Sequence, residues 1–391
     1  MIRDRSEYYL RWSHQRPVAI TSSRREELER LHKVLYKCSE HLALNHGEYT
    51  GKWIPLGEKE LEILDYQDQF PFMAGTWRPD YIIGEEGSLR ICEITSRFFA
   101  HGIFMSRFAE EAADRFMARF PGIRRESRYP ALMEYMASIA EGRKDIFVFK
   151  SSDKTNEIRL YKEFYENLGH RMTILEADEV EDRRRDWAAE GTFLISALNQ
   201  RDILSFGMDT IRAMADKGMY SDFRNIFLLH DKRFMRLWFE DSFTDNCLTT
   251  EETAFLRSHA IPTWDCEDPQ AAAILEDARS RKDSYILKPY RLGKSEGIKV
   301  GPLSSEEEWR SVRPEGMVIQ PFIRQRTYRT EWEGNTYEDY LCGMMLCVND
   351  RYFGSGMFRA SSLPVTNVGD DRKACPLLTD DLEILEYCDV L

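Results

Sequence analysis

The chain has 391 residues, 42% of them hydrophobic and 12% aromatic, which is typical of a folded globular protein with two or three domains. Its 54 basic and 67 acidic residues give a net charge of −13, which disfavours nucleic acid or an anionic membrane as the main partner. Eight cysteines form no Cys-x-x-Cys pair or zinc pattern, and no apolar run approaches the roughly 20 residues of a membrane span. The first residues also lack the apolar core of a signal peptide, so we expect a reduced, cytoplasmic protein.

Residues 1–140 are predicted to contain helices and a β-hairpin. Charged residues recur with helical spacing from Arg24 to Leu44, and a second helical run covers about Ser106 to Arg119. Between them, the stretch from Arg78 to Ser96 contains two short β-runs joined by a polar turn with glycines. That pattern is typical of a hairpin.

This hairpin predicts two carboxylates that face each other. A four-residue loop at Glu85 to Ser88 gives the pairs Gly84 with Leu89, Ile82 with Ile91, Asp80 with Glu93, and Arg78 with Thr95. Because side chains alternate between the faces of a strand, the last two pairs lie on one face at the open end. Opposed carboxylates repel, and a hard cation such as Mg²⁺ between them removes the repulsion. The alternative is an exposed hairpin whose two acids are solvated.

Residues 141–240 alternate strands and helices, which indicates a parallel sheet. The predicted strands are Asp145 to Lys150, Arg171 to Leu175, Phe193 to Ile195 and Asn225 to Leu229; the helices are Glu157 to Leu168 and Met208 to Asp216. Lys232 follows the last strand, at the kind of strand end where α/β sheets bind ligands. An ordinary helix start capped by Asp231 is an equal alternative.

Residues 241–391 combine a helix with mixed strands. A capping box at Thr249 and Glu252 predicts the helix. Lys288 lies near the end of a short apolar strand, where its ammonium group would project into a cleft, and Lys294 lies in the following loop from Leu292 to Gly297. That loop would fold over phosphates as a lid. The alternative for Lys288 is an exposed ammonium group on a buried stem.

Two further strands in this part carry candidate ligand contacts. In the strand from Met317 to Ile323, Pro321 ends the ladder, so free backbone groups would read an adenine edge, unless this is simply an edge strand. The Asn349-Asp350 turn joins Leu341 to Val348 with Tyr352 to Phe358, and Arg359 follows at the end. An arginine there would clamp a phosphoryl group or a carboxylate, with a surface salt bridge as the alternative. No P-loop or Gly-x-Gly-x-x-Gly pattern is present.

Together these segments resemble the ATP-grasp superfamily, in the circularly permuted arrangement of eukaryotic-type glutathione synthetases. In the usual ATP-grasp order, lysine-bearing strands come first, then an arginine-bearing hairpin, and then an Arg-x-Asp strand and a Glu-x-Asn strand. Here the pair Arg78-Pro79-Asp80 and Glu93-Ile94-Thr95 precedes the other segments. The resemblance therefore implies a mixed α/β fold in which residues 1–140 and 241–391 are two halves of one ATP-grasp module and residues 141–240 form a central parallel-sheet domain.

The resemblance also implies roles for individual residues. Three groups are matched: Asp80, Glu93 and Thr95 to the Mg²⁺ ligands; Lys232, Lys288, Lys294, Gln320, Phe322 and Ile323 to the ATP contacts; Arg359 and Arg78 to the reacting phosphate and the substrate carboxylate. Thr95 stands where the family has asparagine. Leu292 stands where glutathione synthetases have an acid, and the lid lacks their run of glycines, which argues against glutathione as the product.

The implied activity is that of an ATP- and Mg²⁺-dependent carboxylate–amine ligase that works through an acyl phosphate on small molecules. Its partners would be a small carboxylate and a small amine, with no nucleic acid or membrane, and related synthetases are often homodimers. Two alternatives remain open, an ATP-grasp kinase that stops after phosphoryl transfer and a nucleotide-binding regulatory or scaffold protein without catalysis.

Overall fold

The computed structural model describes residues 13–96, 102, 106–152, 157–293, 295–332, 334–366 and 372–391. Four sheets and a set of mostly short helices make up this part of the chain. It is a mixed α/β protein with both parallel and antiparallel sheets, as the fold-class prediction expects, and it is consistent with an ATP-grasp fold. In the described part, no helix combines the length and the apolar character needed to cross a bilayer.

The helices are numbered in chain order. They are α1 (Ser22–Leu44), α2 (Glu58–Gln67), α3 (Ser106–Met117), α4 (Tyr129–Ile139), α5 (Glu157–Asn167), α6 (Arg184–Trp187), α7 (Gln200–Ser205), α8 (Met208–Lys217), α9 (Phe234–Leu237), α10 (Asp241–Cys247), α11 (Thr250–His259), α12 (Ala272–Ser280), α13 (Glu306–Arg310) and α14 (Leu382–Leu385). The capping box that predicts α11 is present, since the Thr249 hydroxyl accepts from Glu252 N and the Glu252 carboxylate accepts from Thr249 N.

The strands are numbered likewise. They are β1 (Val18–Ile20), β2 (Thr76–Ile83), β3 (Leu89–Thr95), β4 (Arg124–Arg125), β5 (Asp145–Lys150), β6 (Arg171–Glu176), β7 (Thr192–Ala197), β8 (Met219–Tyr220), β9 (Trp264–Asp265), β10 (Tyr285–Pro289), β11 (Lys299–Val300), β12 (Met317–Pro321), β13 (Thr327–Trp332), β14 (Asn335–Val348), β15 (Arg351–Ser355), β16 (Phe358–Ser361), β17 (Arg372–Ala374), β18 (Pro376–Leu378) and β19 (Asp389–Val390).

Two antiparallel sheets carry the site residues, and a third sheet is parallel. The large antiparallel sheet has the order β17-β16-β14-β2-β3, with β13 and β15 also paired to β14. The small antiparallel sheet has the order β11-β10-β12-β9, and the parallel sheet has the order β6-β5-β7-β8. The three predicted strands at Asp145 to Lys150, Arg171 to Leu175 and Phe193 to Ile195 are thus confirmed as parallel, and the last two extend to Arg171–Glu176 and Thr192–Ala197.

The fourth sheet joins the two ends of the described chain. Its order is β19-β1-β18-β4, and β1 runs parallel to both β18 and β19. The division into segments 1–140, 141–240 and 241–391 stays a prediction. Next to this sheet, α1 buries one side in the main core, where Leu28, Leu31 and Leu35 belong to the same apolar cluster as Trp77 and Tyr81.

The predicted strand from Asn225 to Leu229 is wrong. This segment is one π-helical turn closed by the hydrogen bond from His230 N to Asn225 O, 2.9 Å long. All five of its residues are buried. A short apolar run that is buried on every side has no periodicity to separate a strand from a helix, and this explains the error.

Candidate functional site

A cavity between the large and the small antiparallel sheets gathers most of the predicted site residues. It spans about 690 Å³ of space between protein atoms, part of it open to solvent. The predicted residues in its wall are Asp80, Glu93, Lys288, Gln320, Phe322, Ile323 and Arg359. Segments more than 250 residues apart in the sequence therefore meet in one place.

The β2–β3 hairpin sets Asp80 opposite Glu93 and Arg78 opposite Thr95, as predicted. The other two predicted pairs are wrong, because Ile83 faces Leu89 and Ile82 faces Arg90. The turn is one residue shorter than expected, with Gly84 N donating to Ser88 O, and Cys92 is an extra residue in a β-bulge. The shorter turn and the bulge compensate each other, so the carboxylates still face one another.

Asp80 is held by two arginines. Its side chain is almost fully buried, and it accepts from Arg78 Nε at 2.6 Å, Arg78 Nη2 at 2.9 Å and Arg359 Nη2 at 2.5 Å. Thr95 Oγ1 lies 3.5 Å from Arg78 Nη2 and 3.3 Å from Glu93 Oε1, which links the two acids. The side chain of Glu93 is 19% exposed. Neither acid is therefore freely solvated, and the alternative of an exposed hairpin does not describe these strands.

Arg359 does not end the second strand of the Asn349-Asp350 hairpin. That strand stops at Ser355, and Arg359 lies in the separate strand β16, opposite Cys342 of β14. Gly356 and Met357 separate β15 from β16 and belong to neither strand. The prediction of one continuous strand that ends at Arg359 is therefore wrong. Arg359 Nη2 also lies 3.3 Å from Cys342 Sγ. Burial lowers the pKa of Arg359, but Cys342, Asp80 and Glu93 raise this pKa by more than burial lowers it. The guanidinium group therefore stays charged.

Glu93 is the second charged centre. Its Oε2 lies 3.8 Å from Lys232 Nζ. Burial raises the pKa of Glu93, but Lys232, Lys288 and Arg359 lower it more strongly, to about 2. The carboxylate is therefore ionised at any physiological pH. Burial and Lys288 together lower the pKa of Lys232, while Glu93 opposes them.

Both lysines also bind backbone oxygens. Lys288 Nζ donates to Cys92 O at 3.0 Å, from one sheet to the other, and Lys232 Nζ donates to Leu292 O at 2.8 Å. Lys232 enters from the π-helical turn rather than from a strand end, and its backbone N–H donates to Tyr290 O. Lys232 is 3% and Lys288 7% exposed, which rules out the exposed ammonium group proposed as the alternative for Lys288.

Apolar side chains form a slot in the cavity wall, in which Ser295, Gln325 and Thr366 are polar members. Its walls are Ile82, Cys92, Ile261, Ile286, Ile298, Ile323 and Cys342. Gln320 lies there on β12, which is paired on both sides and is not an edge strand. The prediction of free backbone groups fails at Phe322, because its N–H donates to Ser284 O at 2.8 Å.

Some predicted and some unpredicted residues remain to be placed. Lys294 lies outside the described residues, so its part in a lid stays a prediction. The slot residues Ile82, Ile261 and Cys342, and Thr263 behind Gln320, were missed. They are single apolar or small polar residues from separate segments. No sequence pattern marks them as site residues, because only the tertiary structure brings them to the cavity.

The carboxylate oxygens of Asp80 and Glu93 are the ligand type that Mg²⁺ prefers. Four cationic side chains surround these two anions: Arg78, Arg359, Lys232 and Lys288. The cluster thus has a formal excess of positive charge. It fits a magnesium ion that arrives together with a polyanion better than one that binds alone.

Two comparisons find known proteins that are similar to this chain. A family described as the AnkG N-terminal domain matches residues 46–228. The chain is also similar to a protein named ATP-grasp enzyme ankG from Aspergillus thermomutatus, with 23% identity in an alignment of 367 positions that covers 79% of this chain and 76% of that protein. This likeness supports the ATP-grasp resemblance. The matched family segment contains Asp80, Glu93 and Arg78, while Lys288, Gln320 and Arg359 lie beyond it.

Proposed function

We propose that the protein is an ATP- and Mg²⁺-dependent ligase that joins a small carboxylate to a small amine through an acyl phosphate. The observation that carries the proposal is that two carboxylates, two cations and an apolar slot line one cavity between two sheets, while two further cations, Lys232 and Arg78, lie against the carboxylates. The slot suits a base, and the cations suit a polyphosphate. The similarity to a protein named as an ATP-grasp enzyme supports an enzymatic role.

The reaction would proceed in two displacements. The substrate carboxylate attacks the γ-phosphorus of ATP and ADP leaves, which gives an acyl phosphate. The amine then attacks the acyl carbon, inorganic phosphate leaves, and the amine loses a proton as the amide forms. Such phosphoryl transfer depends on positioning and charge neutralisation more than on covalent help from the protein.

The residues have separate roles in this proposal. Lys232 and Lys288 bind the phosphates, Arg359 neutralises the transferring phosphoryl group, and Arg78 holds the carboxylate or the acyl phosphate formed from it. Asp80 and Glu93, with Thr95 beside them, would hold Mg²⁺, which would supply further neutralisation of phosphate charge. Phe322 and Ile323 flank the base, and the loop with Lys294 excludes water from the intermediate.

The wider assignment is part of the same proposal. We infer a circularly permuted ATP-grasp module of the glutathione synthetase type, built from residues 1–140 and 241–391 around the segment 141–240. The neighbouring positions of β1 and β19 in one sheet support this, because a link between them joins the two halves in the usual order. A cytoplasmic location and a homodimer remain predictions of the same kind.

An ADP-release screen tests the proposal. The purified protein is incubated with Mg²⁺-ATP and with amino acids or short peptides, singly and in pairs. ADP release that needs both a carboxylate and an amine supports a ligase. Release with one component and a stable phosphorylated product would identify a kinase instead, and nucleotide binding without ADP release across the screen would favour the regulatory alternative.

A further inference from the structure

The segment that carries Lys232 is fastened to the chain that follows β10 through three successive backbone carbonyls. Lys232 N donates to Tyr290 O at 2.9 Å. His230 Nε2 donates to Arg291 O at 3.2 Å. Lys232 Nζ donates to Leu292 O at 2.8 Å. The place of the Lys232 ammonium group therefore depends on where the short segment 290–292 lies.

The side chain of Arg291 holds that segment at two points. Its Nε donates to Asp231 Oδ2 at 3.0 Å, and its Nη1 donates to Glu60 Oε1 at 2.5 Å. Both acceptors are buried, since Asp231 is 1% and Glu60 6% exposed. Hydrogen bonds between charged groups are strong, and burial limits their screening by salt. Arg291 thus ties three segments that are far apart in the sequence.

Both acceptors are themselves fixed in orientation. Asp231 Oδ1 accepts from Arg233 N and Arg233 Nε, each at 3.0 Å, and Oδ2 also accepts from Arg233 Nη2 at 2.7 Å. Glu60 Oε2 accepts from Gly57 N at 2.7 Å at the start of α2. Arg291 therefore meets two carboxylates that other groups already hold in place.

Arg291 is not part of the cavity wall that carries Asp80 and Glu93. It lines a different cavity, together with Glu60 and Tyr290. An effect of Arg291 on a ligand in the main cavity must therefore pass through the backbone of residues 290–292. The group that this backbone holds is Lys232, whose Nζ lies 3.8 Å from Glu93 Oε2.

We propose that Arg291 is a positioning residue for Lys232. It holds the segment 290–292 against the segment 230–232 and so keeps the Lys232 ammonium group between Leu292 O and Glu93. This rests on the proposed function, because it takes Lys232 as a contact of the ATP phosphates. Arg291 acts only through Lys232, so it should affect the binding of phosphates and not the binding of the nucleoside.

Comparing ATP with adenosine tests the proposal. Binding of Mg²⁺-ATP is measured by calorimetry, and binding of adenosine by saturation-transfer NMR, for the wild-type protein and for Arg291→Met. We expect the affinity for ATP to fall about tenfold or more, the worth of one hydrogen bond to a charged phosphate. The affinity for adenosine should change by less than about twofold, whereas general damage to the fold would lower both affinities.

A milder variant and a matched control accompany this comparison. Glu60→Gln keeps the size of the side chain and removes one of the two carboxylates that hold Arg291, so it should weaken ATP binding by a smaller factor and spare adenosine. Arg281→Met removes an arginine that is 65% exposed and pairs with Asp277. It should leave both affinities unchanged.

A double-mutant cycle with Lys232→Met tests whether Arg291 acts through Lys232. Adding Arg291→Met to Lys232→Met should weaken ATP binding by less than about twofold further. Losses that multiply in the double variant would overturn action through Lys232.

The failure of this inference differs from the failure of the proposed function. Unchanged affinity for ATP in Arg291→Met, or an equal fall for ATP and adenosine, would overturn the positioning role and leave the nucleotide site standing. A wild-type protein that binds neither ATP nor adenosine would overturn both.

Discussion

Replacing Glu93 by glutamine removes the anion that Lys232 and Lys288 share. The pKa of Glu93 falls from an ordinary 4.5 to about 2 in the folded protein, which corresponds to about 3 kcal/mol of stabilisation at neutral pH. Because the folded pKa is lowered, this contribution is present above pH 4.5 and is lost as the pH falls toward 2. At pH 7 we therefore expect the free energy of unfolding of Glu93→Gln, measured in urea, to be about 3 kcal/mol lower than that of the wild-type protein.

The same variant should affect nucleotide binding differently in the absence and in the presence of Mg²⁺. Without metal, the loss of one negative charge beside the lysines should strengthen the binding of ATP, as measured by calorimetry in EDTA. With Mg²⁺, the variant loses a carboxylate ligand, and ADP release should fall to background. A damaged fold would lower the metal-free affinity as well as turnover, so a gain of affinity together with a loss of turnover excludes that explanation.

Glu85→Gln is the matched control, because Glu85 lies exposed at the tip of the same hairpin. Its effect on the free energy of unfolding should stay within about 0.5 kcal/mol. The reasoning about Glu93 would be refuted by Mg²⁺-dependent ADP release at the wild-type rate in Glu93→Gln.

Three other measurements follow from the structure. Arg78 and Arg359 both donate hydrogen bonds to the Asp80 carboxylate and so compete with a metal ion for it. Mn²⁺ alone should therefore bind at least about tenfold more weakly than Mn²⁺ with ATP, as followed by electron paramagnetic resonance. Arg359→Met should strengthen the binding of Mn²⁺ alone. Burial raises the pKa of Glu126 to about 7, against the opposing effect of Arg25, so its contribution to stability is lost as the pH rises from 4.5 through 7. Glu126→Gln should therefore gain about 2 to 3 kcal/mol relative to wild type between pH 5 and pH 8, measured by urea unfolding at both values. Gly343→Ala places a Cβ atom against the rings of Tyr81 and Phe358 in the large sheet and should cost about 1 to 3 kcal/mol by thermal unfolding.

Each of these three has a clear contrary result. Tight binding of Mn²⁺ without nucleotide would show that the arginines do not compete for Asp80. A parallel pH dependence in Glu126→Gln and wild type would assign the titration to another group. Gly51→Ala, where a Cβ meets no neighbour and the backbone φ is not positive, as at Gly343, is the control that isolates the effect of packing.

The part of the site that local patterns determine was predictable from the sequence. The pairing of Asp80 with Glu93 follows from alternation along two strands, and the start of α11 follows from its capping box. The strands that carry Lys288 and Gln320 were predicted because short apolar runs end there at proline. These features depend on residues that are close together in the sequence.

Three features of the structure could not be predicted from local sequence patterns. The bulge at Cys92 is invisible because a longer turn without a bulge gives the same pairing of Asp80 with Glu93. The helical form of Asn225–Leu229 depends on burial from all sides. The orientation of the Gln320 amide depends on Thr263, which lies 57 residues away. None of these three features leaves a signal in the local sequence.

The bulge at Cys92 has a consequence for how this hairpin tolerates changes in length. Without Cys92, β2 and β3 would form a regular hairpin in which Asp80 still faces Glu93. The backbone oxygen that accepts from Lys288 belongs to this extra residue. Deletion of Cys92 would therefore remove this hydrogen bond between the two sheets and leave Asp80 and Glu93 facing each other. We expect relatives that differ by one residue here to keep the same metal chemistry and to differ in how firmly the cavity closes.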